Sequence, residues 1–181
     1  AAYTHRTTGA ADVVLRVFLA ARTNPDALAT PAMLVNDLPL RLTIRPSATF
    51  TELVAQVRDR LAEAVRHQRF PGERIRRELG AQDQGSLSGP TVNVLSFAPG
   101  RLTVGGAGAT VHQVASGPVR DLVLNAVADD TAADGIHLTL NAHPDRFTPA
   151  EVTAHRDRYT RLLTAAAEAP EAPVGTLDLL G

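Results

Sequence analysis

The chain of 181 residues has no cysteine. Disulfides and thiolate chemistry are therefore excluded. It has no lysine either, since all 18 of its basic residues are arginine. That removes Schiff-base lysines and the lysine of a phosphate-binding P-loop. The arginine excess, beside abundant alanine, is what the codon usage of a GC-rich bacterium produces. A strong charge of either sign is also missing. The formal net charge is −1, so no bulk electrostatic drive exists toward nucleic acid or an anionic membrane. No apolar run approaches the roughly 20 residues of a membrane span. The opening Ala1-Ala-Tyr-Thr-His-Arg6 lacks an apolar segment behind a basic one and does not read as a signal peptide. These features together predict a cytoplasmic protein.

What is present is the composition of a globular domain, 44% apolar and 20% charged. A chain of this length fits one domain and buries roughly 70% of its unfolded surface. Asp12 to Ala20 reads as a largely buried strand, followed by a turn at Asn24-Pro-Asp26. Met33 to Ile44 reads as a second, long strand, and Pro39 within it implies an edge or a bulge. That strand carries Asn36 and Arg41 in an apolar run, which is costly unless each is paired. Thr49-Phe-Thr-Glu52 is a capping box that opens a helix. Phe50, Leu53, Val54, Val57, Leu61 and Val65 share one face of it, and it should end near Arg69. A short helix from Glu73 to Leu79 is stopped by Gly80.

Residues 81–90 form a polar loop, and Thr91 to Phe97 reads as a strand. Arg101–Val104 and Ala109–Val114 are the arms of a hairpin whose turn contains Gly105-Gly-Ala-Gly108. Arg120–Val127 and Gly135–Asn141 alternate and are expected to pair. Thr148-Pro-Ala-Glu151 is a second capping box, with proline at the favoured first helical position. Its helix carries Val152, His155, Tyr159, Leu162 and Leu163 on one stripe. Residues 169–181 form a Pro-rich tail, expected to lead toward a further domain or linker. Six or seven strands that do not alternate regularly with helices argue against a Rossmann-type sheet.

Self-contained chemistry is hard to find. Gly105-Gly-Ala-Gly108 lacks the phosphate-loop spacing and lies between strands, so a hairpin turn is the better reading. The six histidines show no metal-ligand spacing. No Gly-x-Ser-x-Gly elbow exists, and Ser86, Ser88, Ser96 and Ser116 have no base beside them in sequence. His67 is the most site-like histidine, and its plain alternative is a helix-capping role. Asn36, Asn93 and Asn125 fall inside strands, where asparagine is disfavoured, and Arg120-Asp121 follows a Gly-Pro turn. Each alone can satisfy backbone groups; together they point to a polar surface made by strand ends.

Several ordered motifs resemble one family. Ala2-Tyr-Thr-His-Arg-Thr-Thr-Gly9 with Asp12-Val-Val-Leu15, Leu19-Ala-Ala-Arg22 and Met33-Leu-Val-Asn-Asp-Leu-Pro-Leu-Arg41 are similar to successive motifs of the condensation domain of nonribosomal peptide synthetases. So are His67-Gln-Arg-Phe-Pro-Gly-Glu73, Gly89-Pro-Thr-Val-Asn-Val94, Ser116-Gly-Pro-Val-Arg-Asp-Leu122 and Val174-Gly-Thr-Leu-Asp-Leu-Leu180. The chain resembles the C-terminal lobe of that domain. Arg69 and Gly72 depart from the family's acidic and aromatic residues, and Met33-Leu34 from its Gly-aromatic entry. The family's His-His-x-x-x-Asp-Gly motif does not occur in the sequence.

The resemblance implies an α+β, chloramphenicol-acetyltransferase-like lobe, with a mixed or antiparallel sheet and helices packed on one side. Residues 1–168 would form the C-terminal subdomain, and a segment near residues 99–118 would take part in crossing to the other lobe. The reaction implied is amide formation between a donor acyl thioester and an acceptor amine, both on carrier proteins. The resemblance implies no directly bound cofactor, and as partners the N-terminal lobe and the phosphopantetheine arms of donor and acceptor carrier proteins. No residue here is implied as catalytic. Arg22, Asn36, Arg41, Asn93, Ser116 and Asp121 are implied as channel-lining or supporting. Arg22 or Arg41 would pair with the missing motif's aspartate, while Asn36 and Asn93 would face the channel. Two further readings stand beside this one. The first is a non-catalytic module that docks a carrier protein or a partner lobe. The second is an independent acyltransferase using His67 or His112.

Overall fold

The computed structural model describes residues 1–80, 89–95, 102–109, 117, 119–129 and 135–180. Thirteen elements follow in order: α1 (Ala2–Thr8), β1 (Asp12–Leu19), α2 (Pro25–Ala29), β2 (Asn36–Thr43), α3 (Phe50–Arg66), α4 (Gly72–Glu78), β3 (Thr91–Leu95), β4 (Leu102–Val104), β5 (Ala107–Ala109), β6 (Leu122–Asp129), β7 (Gly135–Ala142), α5 (Pro149–Glu168) and a 3₁₀ turn at Val174–Thr176. Five strands form one sheet in the order β2-β1-β3-β6-β7. The outer pairs β1–β2 and β6–β7 are antiparallel, and β3 lies parallel to both β1 and β6. The sheet is mixed, as expected, and the crossover from β1 to β3 contains α2, β2, α3 and α4.

Strand alternation sorts side chains onto two faces. Val13, Leu15 and Val17 of β1 join Leu40 and Leu42 of β2 in the core. Leu53 of α3, Leu162 and Ala166 of α5, and Ala2 of α1 pack onto the same face. Both capping boxes form. Thr49 and Glu52 bond each other's backbone N–H at the start of α3, as do Thr148 and Glu151 at the start of α5. The N–H of Thr148 holds the Glu151 carboxyl below its ordinary range. The tail also belongs to this core. Val174, Leu177 and Leu179 are buried in it, and Arg6 Nη1 donates to the carbonyls of Val174, Gly175 and Leu177 at 3.0, 2.7 and 2.7 Å.

The edge strand β2 explains Pro39. The N–H of Ile44 donates to Ala11 O, so residues 38, 40, 42 and 44 turn their backbone groups toward β1. Residues 37, 39, 41 and 43 turn theirs outward, where the missing N–H of Pro39 costs no ladder bond. At the end of that outer row, the Gln56 amide of α3 accepts from Thr43 N at 2.9 Å and donates to Thr43 O at 3.1 Å.

Four expectations need correction. Asn24-Pro-Asp26 is not a simple turn: Asn24 caps Ala27 N–H and Pro25 occupies the first position of helix α2. The second strand starts at Asn36 rather than Met33, which is 91% exposed. Val54 and Val65 are exposed, because the buried stripe of α3 is narrower than its apolar sequence pattern. The hairpin closes earlier. Gly105 and Gly106 both adopt positive φ, 59° and 83°, so the second arm, β5, begins at Ala107 rather than Ala109; residues 110–114 of the expected arm lie outside the described residues. The segments 81–88, 96–101 and 110–116, which include His112 and Ser116, lie outside the described residues.

Candidate functional site

The face of the sheet away from the core carries most of the sheet's polar side chains, among Val14, Phe18, Val123 and Val127. Asp12, Arg16, Asp37, Arg41, Thr91, Asn93, Asn125, Thr139 and His137 all project on this side by register. At its centre, Asn93 faces Asn125 across β3 and β6, and Asn93 Nδ2 donates to Asn125 Oδ1 at 3.1 Å. Both are half-buried, and each amide keeps hydrogen-bonding capacity beyond this one bond. Next to them stands a charged cluster. Arg16 and Arg76 both donate to Asp37 Oδ2, at 3.4 and 3.1 Å. Arg16 Nε donates to Thr91 Oγ1 at 3.0 Å, and its guanidinium lies 5.6 Å from the Phe18 ring centroid. Two guanidiniums on one carboxylate leave a local surplus of one positive charge.

Asn36 has a different task. Its Nδ2 donates to Gln68 O at 2.8 Å and Phe70 O at 2.6 Å, and its Oδ1 accepts from Gly72 N at 3.1 Å. The whole amide is spent on holding the turn between α3 and α4. The two motifs around Asn36 and His67–Glu73 thus meet in space. Gly72 is required there, because a Cβ at this position would lie 2.0 Å from Asp37 O.

Arg22 is likewise committed to backbone. It donates to the carbonyls of Thr30 at 2.9 Å and Ala32 at 2.6 Å, and also to Ala27 O, tying α2 to the loop after it. Arg41 is not buried as the apolar run implied. It is 75% exposed, on the outward side between Leu40 and Leu42. It pairs with Asp12 through Nε at 2.9 Å and Nη2 at 2.6 Å. The hydrogen bond and charge of Arg41 lower the Asp12 carboxyl below its ordinary range. Arg41 and His67 share a groove of about 460 Å³ along the outer edge of β2. His67 itself is the exposed C-cap of α3. Asp121 precedes β6; its carbonyl accepts from His143 N at 2.9 Å and its carboxylate lies 3.8 Å from Arg146 Nη1. No group of metal-ligating side chains occurs among the described residues.

This arrangement offers hydrogen bonds and charge, with no nucleophile and base in contact among the described residues. Tyr3 OH and His155 Nδ1 are 2.6 Å apart, but they join α1 to α5 on the core side. The Arg16–Asp37–Arg76 cluster was not visible in sequence, since no periodicity links positions 16, 37 and 76.

The family model of the condensation domain matches residues 1–181. The chain belongs to the condensation domain family. Among its relatives, a dimodular nonribosomal peptide synthase of Bacillus subtilis (strain 168) is 35% identical over 181 residues, covering 99% of this chain and 8% of the relative. An isonitrile lipopeptide synthase of Streptomyces coeruleorubidus is 38% identical over 178 residues, covering 98% of this chain and 12% of the relative. The starter condensation domain of rhizomide synthetase, solved in complex with C8-CoA, superposes with a TM-score of 0.91 at 36% identity, covering all of this chain and 42% of that one. The chain therefore spans a small part of its curated relatives and less than half of a solved condensation domain. Its architecture is that of a chloramphenicol-acetyltransferase-like lobe, α+β with a mixed sheet.

Proposed function

We propose that the chain is the C-terminal lobe of a condensation domain that forms an amide between a donor acyl thioester and an acceptor amine. Both substrates ride on the phosphopantetheine arms of carrier proteins. The observation that carries this reading is the whole-length match to condensation domains, of which the chain covers about two fifths. The chemistry of the polar face fits it. Asn93 and Asn125 offer directed amide groups, suited to orienting an uncharged amine and a thioester carbonyl. Asn36 and Arg22 act one step further back, fixing the loops that border the face. The general base or orienting histidine comes from a lobe that carries His-His-x-x-x-Asp-Gly, a motif not found in these 181 residues. Val174, Leu177 and Leu179, within the stretch that the sequence reads as a Pro-rich tail, pack with the same core.

The test is amide formation followed by mass spectrometry, with donor- and acceptor-loaded carrier proteins. The chain joined to a lobe bearing the histidine motif should give product, and the chain without it should give none. Equal product from the chain alone would overturn the reading. So would a correctly assembled pair that binds both carriers and yields no amide.

A further inference from the structure

A second cavity, of about 340 Å³, lies between the end of β1, α2, the entry to β2 and the turn before α4. This is within the range of small-molecule sites. Leu34, Val35 and Pro71 give it apolar walls. Its polar groups lean toward donors, beside the Thr23 hydroxyl, which can donate or accept. Asn24 Oδ1 is used by Ala27 N–H at 2.7 Å, and Gln68 Oε1 by Ala21 N–H at 3.2 Å. These bonds fix both amides with their NH₂ groups as the remaining capacity, and no described residue accepts from either. Arg69 is the one ionisable side chain on the described lining, and it forms no ion pair with a described residue. Ala21, in the same wall, holds φ at 51°, a region that L-residues other than asparagine and aspartate seldom adopt. Strain of this kind persists where surrounding contacts over-determine the backbone.

Two NH₂ groups with no described acceptor, one guanidinium and apolar walls favour an acceptor-rich anion with a short hydrocarbon body. We propose that this cavity binds a small aliphatic carboxylate, with Arg69 taking the carboxylate and Leu34 and Val35 the chain. A single guanidinium balances a single negative charge, which favours a carboxylate over a phosphate dianion. The proposal concerns a ligand site on this chain and does not depend on amide formation.

Hexanoate is the probe, with hexylammonium, hexanol and inorganic phosphate as comparisons, read by amide chemical shifts in NMR titrations of the protein. Hexanoate should give saturable shifts confined to residues 21–24, 34–36 and 68–71. Hexylammonium and phosphate should bind there more weakly. R69A should weaken hexanoate by about tenfold, the scale of one charge-assisted hydrogen bond. R69E should exchange the preference toward hexylammonium. Arg69 is exposed, so both variants should keep the shift pattern of the rest of the protein. Shifts elsewhere, no saturation, equal binding of hexylammonium or tighter binding of phosphate would overturn the proposal. So would hexanoate affinity unchanged in R69A.

Discussion

β2 shows both faces of the sheet within one strand. Its inward residues, Leu38, Leu40 and Leu42, are at most 5% exposed, while Asp37, Pro39, Arg41 and Thr43 line the other side. The inward face is held by apolar burial, about 25 cal/mol for each Å² removed from water. The outward face is held by paired polar groups, whose net contribution is small because water competes for every bond. Stability is therefore concentrated on one face, and the other is free to carry chemistry.

The inward face is most vulnerable at Leu42, which is 1% exposed. Leu42→Ala should cost about 2–5 kcal/mol, from lost burial plus the residual cavity, seen as a lower urea midpoint. Asn36 comes next, since it is polar yet structural. Asn36→Ala strands Gly72 N–H and two carbonyls and should cost about 1–3 kcal/mol. Asn36→Asp should be no better, because a carboxylate would face the carbonyls of Gln68 and Phe70 without a donor. If Asn36→Asp retained full stability, the clamp assigned to this amide would be wrong.

Asn93→Ala should cost at most about 1 kcal/mol, because its partner Asn125 is half-buried and water can reach it. In the assembled domain it should lower amide formation far more than it lowers stability; equal losses would place Asn93 among structural residues. The smallest effect is at Arg41. Arg41→Ala should leave the urea midpoint at neutral pH nearly unchanged, since both members of the pair are exposed. Only the acid limb should differ. The Asp12 carboxyl is depressed in the folded protein by its Arg41 hydrogen bond. Its small contribution is thus present above the unfolded-state value and lost as pH falls through the folded one. Stability profiles of the two proteins should converge in acid, and more closely in high salt.

Much of this fold was legible in sequence because the signals were local. Both capping boxes, the edge role of Pro39 and the pairing of β6 with β7 depend on residues a few positions apart or on strict alternation. What was not legible depended on register or on packing. Asn93 and Asn125 were each visible as misplaced strand residues, but only the β3–β6 register makes them a pair. Asn36 was visible as an oddity, yet its partners are carbonyls 32 and 34 residues away, which no side-chain pattern encodes. Arg41 was misjudged as buried because an apolar run hides its own alternation when the outward positions include proline.

The outer edge of β2 bears on how the chain behaves in solution. An open sheet edge invites another strand to add to it, and such pairing is a route to aggregation. Here Pro39 offers no N–H, Gln56 occupies both backbone groups of Thr43, and Gly72 of α4 backs onto the Asp37 carbonyl. A docking strand would find an incomplete row, and an exposed guanidinium at Arg41 beside it. Pro39 and Gln56 thus act as gatekeepers against self-association through this edge.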